Sequence, residues 1–309
     1  MSNIIAPQKV LHLYQELEKK KHVFNQSNPP DFLITRKING WYGFVDMDLI
    51  HKTKSPITSR QLKGIKSLEH YEHLFKNLML FLSNNFPELK NIRLIFEIII
   101  PDLPFEVMSG ILNRTKGDCI LPFGEVKFYF HDLVFLDKLN SPASCRLEKL
   151  NYSLNAFINY TRSDYSYSRV IKILRTLTIS NNLTNISNIA ERQIELGEEG
   201  IVLKAVNSPY SPGKRNSDLL KIKVEAETMM KVIELEETTG DKGNDSLQLV
   251  VEDIVGTTTK LRVGNHKDLN FIYDNNIIGK EVSMVYMMKS NKGGYVQPRL
   301  NPKFDITKL

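Results

Sequence analysis

From residue 226 onward the chain changes character, and that change limits its possible folds more than any other feature. Before it, segments of helical and strand periodicity are mixed. Beyond it, apolar residues come in short runs: Met229–Leu235, Leu247–Val251, Thr258–Val263 and Val282–Met288, parted by hydrophilic turns such as EETTGDKGNDS. Short strands with one apolar face bury that face by closing on one another. A small, partly closed β-barrel is therefore expected for residues 226–309. Residues 1–225 are expected to form a separate α+β domain, because their helices and strands do not alternate regularly. Two domains also suit a length of 309 residues.

Composition excludes several classes. Hydrophobic residues make up 41%, charged residues 25%, and the mean hydropathy is −0.26, values ordinary for a globular protein. No run of about 18 apolar residues is present, so no membrane-spanning helix is expected. The N-terminal stretch MSNIIAPQKVLHLYQELEKKK has no basic start followed by an apolar block, so secretion is not expected. Two cysteines, Cys119 and Cys145, cannot build a disulfide framework, which points to an intracellular, reducing setting. The net charge of +6 is uneven: residues 226–309 carry 11 basic and 12 acidic side chains, leaving +7 on the larger part. Such a balance suits a polyanionic partner, and for the barrel the oligonucleotide-binding type is the expected class.

Apolar spacing predicts helices over residues 8–21, 65–82, 104–113, 167–178 and 188–196. Strands are predicted at Phe32–Thr35, Gly43–Leu49, Ile92–Ile100, Lys127–Leu136, Glu199–Lys204 and Leu219–Val224, with a tight Asn39-Gly40 turn joining the first two. No P-loop and no G-x-G-x-x-G is present. His70 and His73 are three apart on a predicted helix, but no further ligand accompanies them, and two surface histidines are the simpler reading.

The informative segment is Arg36-Lys37-Ile38-Asn39-Gly40. It sets an amine at the mouth of a sheet, where a lysine can act as a covalent nucleophile. Alone, this is more commonly a solvated turn lysine. Its weight comes from residues further along the chain, in this order: Ser59-Arg60, a guanidinium after the second strand; Glu97 within an apolar strand; Phe128-Tyr129-Phe130-His131-Asp132; Glu199 at the head of Gly200–Lys204; and Lys221 with Lys223, two apart on one strand face.

This ordered set resembles the ATP-dependent DNA ligases of the covalent nucleotidyltransferase superfamily. Lys37–Gly40 resembles motif I, Ser59-Arg60 motif Ia, Glu97 the glutamate of motif III, Phe128–Asp132 motif IIIa, Glu199–Lys204 motif IV and Leu219–Lys223 motif V. The resemblance implies an adenylation domain over 1–225 followed by an oligonucleotide-binding barrel over 226–309. It implies that Lys37 is the nucleophile. ATP is then bound by Thr35, Arg60, Glu97, His131, Glu199, Lys221 and Lys223, and Mg²⁺ or another divalent cation by Glu97 and Glu199. The implied partner is nicked duplex DNA, sealed by a monomer. About 30 residues precede the first nucleotidyltransferase strand, and no cysteine-rich zinc module is present, so the minimal ATP-using type is expected. Asn39 stands where motif I usually has aspartate, and Tyr42 where an arginine is usual, with Arg36 or Lys52 as possible substitutes. His131 takes the place of the aromatic that stacks on the purine. Arg299, Lys303 and Lys308 are the candidates for the basic residues of motif VI. An RNA ligase, an mRNA guanylyltransferase and a non-catalytic nick-binding module are the alternatives.

Overall fold

The computed structural model describes the chain except for residues 1–4, 18, 20, 50–56, 115–119, 163–164, 224, 240–244, 264–265, 287, 290–293, 297 and 302–303. Lys52, Cys119 and Lys303 lie outside the described residues. The chain divides into two compact units, Met1–Lys223 and Val224–Leu309.

The first unit contains strands β1 (Lys9–His12), β2 (Phe32–Arg36), β3 (Trp41–Asp46), β4 (Thr58–Ser59), β5 (Ile92–Ile99), β6 (Lys127–Phe135), β7 (Ile171–Ile173), β8 (Thr176–Ser180), β9 (Gly200–Ala205) and β10 (Arg215–Lys223). Its helices are α1 (Leu13–Leu17), α2 (Glu72–Asn85), α3 (Phe105–Leu112), α4 (Ala143–Tyr160), α5 (Tyr165–Val170) and α6 (Leu183–Glu195). The strands form two five-stranded sheets, ordered β1-β10-β9-β2-β8 and β4-β3-β5-β6-β7.

Alternation along the strands fixes what each sheet face meets. In the first sheet, Phe32, Ile34, Ile201, Leu203 and Leu220 share a core with Ile186 of α6. Thr35, Val202, Lys204, Lys221 and Lys223 therefore lie on the opposite face. In the second sheet, Phe96, Phe128 and Phe130 pack with Phe75 of α2, at ring separations of 5.0–6.3 Å. Such aromatic pairs contribute about 0.5–1.5 kcal/mol each beyond the area they bury. The alternate residues Phe44 and Ile95 pack with Tyr210 in a separate cluster, and Tyr42 and Glu97 continue that second face.

Several expectations need correction. Phe32–Arg36 and Trp41–Asp46 are not a hairpin: β2 and β3 belong to different sheets, and Lys37–Gly40 is the crossing between them. The predicted helix over 8–21 begins instead as β1, which pairs in parallel with β10 before the short α1. The predicted helix over 167–178 breaks after Val170 into β7 and β8, which join different sheets. Residues 66–71 form a 3₁₀ turn ahead of α2, and the 18-residue α4 is absent from the helices that apolar spacing predicts.

The second unit contains β11 (Ala226–Thr239), β12 (Asp245–Glu252), β13 (Thr258–Val263), α7 (His266–Asp274), β14 (Glu281–Tyr286), β15 (Met288–Lys289), β16 (Tyr295–Val296) and β17 (Arg299–Leu300). Five of these strands form an antiparallel sheet in the order β13-β12-β11-β14-β17. Its edge strands β13 and β17 approach each other, so the sheet closes into a nearly complete barrel. Val232, Leu249, Leu261 and Met284 fill the barrel, with Ile272 of α7 in the same core. The helix between the third and fourth barrel strands is a further departure from the predicted elements.

Candidate functional site

Lys37 leaves the end of β2, and its backbone N–H donates to the Gly200 carbonyl at 2.9 Å. Gly200 has a φ of +140°, and a Cβ there would fall 2.2 Å from the Ile222 carbonyl oxygen. Only glycine lets β10 pass so close to the head of β9. The residue before it, Glu199, is thereby delivered to the amine: Lys37 Nζ donates to Glu199 Oε2 in an ion pair. Beside it, Arg36 Nη1 meets Glu198 Oε1 at 2.6 Å, tying the same two strand ends together.

Across β9 and β10, Lys221 lies opposite Val202 and Lys223 opposite Gly200. Burial, reinforced by the cations Lys37, Lys223 and Arg60, presses the Lys221 ammonium down to about 8, with Glu199 opposing. Thr35 pairs with Val202 and Thr176, two residues before Lys37 on the same strand.

The second sheet brings Glu97. The crossing reaches it through Gly40, where a Cβ would fall 2.8 Å from the Glu97 Cβ and 3.0 Å from the Ile98 carbonyl oxygen. Burial pushes the Glu97 carboxyl up to about 8; Glu199 adds to this, while Lys37 and Arg60 pull the other way. Tyr42 lies opposite Glu97 in the β3–β5 ladder. Arg60 rests its guanidinium over the Tyr42 ring, 4.6 Å from the centroid.

His131 occupies a bulge in β6. Ile95 pairs with Asp132 and Phe96 with Phe130, leaving residue 131 without a ladder partner. Phe130 is fully buried in the aromatic core. The His131 ring lies 6.4 Å from the Tyr42 ring, and its Nε2 lies 3.9 Å from Glu97 Oε1. Burial holds the imidazole down to about 3, with Lys204 and Arg60 adding to the effect and Asp132 opposing it. The ring is therefore neutral.

A buried triad lies behind the bulge. Asp132 accepts from Lys204 Nζ at 2.6 Å and from Arg146 Nε at 3.1 Å, and Lys204 also donates to the His131 carbonyl at 3.2 Å. These partners hold the Asp132 carboxyl well below the usual carboxylate range, against its burial. Lys204 belongs to the first sheet, Asp132 to the second and Arg146 to α4, so the triad binds both sheets and a helix. Asp132 and Lys204 fall within the motif-like segments. Arg146 carries no local signal, because apolar spacing does not announce the helix that presents it.

The remaining candidates belong to other elements. In the second unit, Arg299 pairs with Glu225, and Lys308 lies 3.9 Å from Asp305. His73 Nε2 lies 3.0 Å from the Asn77 amide. Among the described residues no group of three His, Cys, Asp or Glu side chains forms a metal cage, and no helix is long and apolar enough to cross a membrane.

The groove thus gathers an amine, two carboxylates and several cations. Such a set binds phosphate oxygens and offers a nitrogen to phosphorus. Glu97 and Glu199 also fit a magnesium ion, which takes one or two carboxylates and fills its remaining positions with water and substrate phosphate. The elevated Glu97 carboxyl supports that fit, because a nearby cation would relieve the burial of its charged form.

Comparison with known proteins agrees with this geometry. A family profile described as "ATP dependent DNA ligase domain" matches residues 12–223. The DNA ligase of Archaeoglobus fulgidus is 32% identical over 144 residues, covering 42% of this chain and 25% of that protein. DNA ligase 4 of Kluyveromyces lactis is 29% identical over 152 residues, covering 40% of this chain and 16% of that protein. The chain therefore matches a quarter or less of the length of these relatives. Among solved structures, one from a study of Lig E DNA ligases superposes with a TM-score of 0.63 at 18% identity, covering 96% of this chain and 98% of that chain. The ATP-dependent DNA ligase from bacteriophage T7, in complex with ATP, gives a TM-score of 0.55 at 15% identity, covering 96% and 97%. At these identities the structures establish the shared fold, a mixed α+β unit followed by a nearly closed barrel. With more than half of its length matched by the profile, the chain belongs to the family of ATP-dependent DNA ligase domains.

Proposed function

We propose that the protein is an ATP-dependent DNA ligase that seals nicks between a 5′-phosphate and a 3′-hydroxyl in duplex DNA. Residues 1–225 act as the adenylation domain and 226–309 as the oligonucleotide-binding domain. The Lys37 amine attacks the α-phosphorus of ATP. A P–N bond forms, the bond to the pyrophosphate oxygen breaks, and AMP stays on the lysine. AMP then passes to the 5′-phosphate of the nick, and the 3′-hydroxyl displaces it.

Lys221, Lys223 and Arg60 bind the phosphates and meet the charge that grows on them in the transition state. His131 and Thr35 bind the nucleoside. Glu97 and Glu199 hold a magnesium ion, which neutralises phosphate charge when bound. DNA is held mainly through its phosphates, so binding weakens steeply with salt. The working form is an intracellular monomer.

The observation that carries this reading is the meeting of Lys37 with Glu199, 162 residues further along the chain, in the same groove as Glu97 and Lys221. The test uses ATP or GTP labelled at the α-phosphate, with Mg²⁺, followed by a chase onto nicked DNA or nicked RNA. We expect a covalent adduct from ATP, discharge on nicked DNA, and no adduct from Lys37→Ala. Label on the Lys37→Ala protein would refute the nucleophile. Label from GTP alone would identify a guanylyltransferase, and sealing of RNA alone an RNA ligase. No adduct after pyrophosphate stripping would leave a binding module.

A further inference from the structure

The turn that follows β4 carries a residue its backbone does not favour. Ser59 donates its N–H to the Lys63 carbonyl at 2.8 Å, and Leu62 donates to the Ser59 carbonyl at 3.0 Å. Arg60, Gln61 and Leu62 thus form a three-residue hairpin loop, and Leu62 has a φ of 62°. Such loops call for glycine at that left-handed position, because a Cβ there crowds the following carbonyl. Strain of this kind persists where the surroundings impose it, and it clusters at ligand-binding sites. Packing inside the protein does not account for the leucine. The residue is 39% exposed and joins none of the hydrophobic clusters among the described residues.

The loop borders the groove, where Arg60 lies over the Tyr42 ring. Arg60, Gln61 and Lys63 are exposed, and the Lys63 ammonium meets no carboxylate among the described residues. An apolar side chain is therefore set between two cations at the groove's edge. A nucleic-acid strand offers the matching order, because apolar sugar carbons alternate along it with charged phosphates. We propose that Leu62 is a DNA-contacting residue: it packs against a deoxyribose of the nicked duplex while Lys63 meets an adjoining phosphate. The strained backbone is retained because the side chain is used once DNA binds. This inference rests on the reading of the protein as a DNA ligase and adds two residues that lie outside its ordered motif set.

The experiment measures binding of the adenylylated protein to nicked duplex DNA over a range of salt. The 3′ end is dideoxy and EDTA is present, so no step proceeds. Leu62→Asn tolerates the left-handed conformation but removes the apolar contact, Leu62→Met keeps an apolar side chain, and Lys63→Ala removes the cation. Leu62→Asn should bind about three- to tenfold more weakly than the parent at every salt concentration, with the slope of log affinity against log salt unaltered. Leu62→Met should stay within about twofold of the parent. Lys63→Ala should make the slope shallower by about 0.9. The urea midpoint of Leu62→Asn should equal or exceed the parent's, and adduct formation from ATP should stay within about twofold in all three variants. Undiminished affinity in Leu62→Asn overturns this inference alone, as does a shallower slope, a lower midpoint or slowed adduct formation there, each of which would make Leu62 a prop for the loop. An unaltered slope in Lys63→Ala overturns the placement of the strand. A parent that forms the adduct yet does not bind nicked DNA overturns the DNA reading and this inference with it.

Discussion

Tyr42 shows how one side chain changes a site. Its ring lies between Arg60 and His131, so it orients a guanidinium instead of supplying one. Cation–π contacts of this kind contribute about 0.5–1 kcal/mol when exposed and more when desolvated. Tyr42→Phe should leave the ATP concentration for half-maximal adduct formation within about twofold, whereas Tyr42→Leu should raise it about three- to tenfold. Equal values for the two variants would show that the ring does not position Arg60. Gly40 acts through space rather than charge. An added methyl would meet the Glu97 Cβ at 2.8 Å, and relieving such overpacking costs roughly 1–3 kcal/mol. Gly40→Ala should therefore slow single-turnover adduct formation at least tenfold while the protein stays folded by circular dichroism. A variant with unaltered rate would show that the Lys37 crossing does not depend on close approach to β5.

At the scale of elements, the triad of Asp132, Arg146 and Lys204 joins β6, α4 and β9. Removing one member of a buried ion pair typically costs about 3–5 kcal/mol, because the other charge is left uncompensated. Asp132→Asn should lower the unfolding free energy in urea by about that amount, and a loss below about 1 kcal/mol would mean that the cations find other partners. Sequence pattern succeeds where it agrees with the final environment. Ile92–Ile99 and Gly200–Ala205 are legible because central strands are nearly continuous apolar runs. It fails where long-range pairing decides. Lys9–His12 carries apolar residues at helical spacing, yet it is drawn straight by parallel pairing with Arg215–Lys221, some 200 residues away. The α4 helix is hidden by its asparagines and serines, weak helix formers that packing overrides. The charged residues of the groove are legible as types in order. The bulge that aims His131 is not, because register belongs to strand pairing and leaves no mark in the sequence of one strand.

For the whole molecule, the triad also links stability to acidity. The Asp132 carboxyl titrates lower in the folded protein than in the unfolded chain, whose reference value is 3.8. Its contribution is therefore fully present above that reference and is lost as the pH falls through the folded-state value. Unfolding free energy should decline as the pH is lowered below about 4, and the decline should be shallower in Asp132→Asn. Parallel pH profiles for the two proteins would remove Asp132 from the acid sensitivity.

Because Lys204 reaches from one sheet to a carboxylate on the other, the length of its side chain works as a strut between the two layers. Lys204→Arg would overfill that strut, and the unfolding free energy in urea should fall by roughly 1–3 kcal/mol.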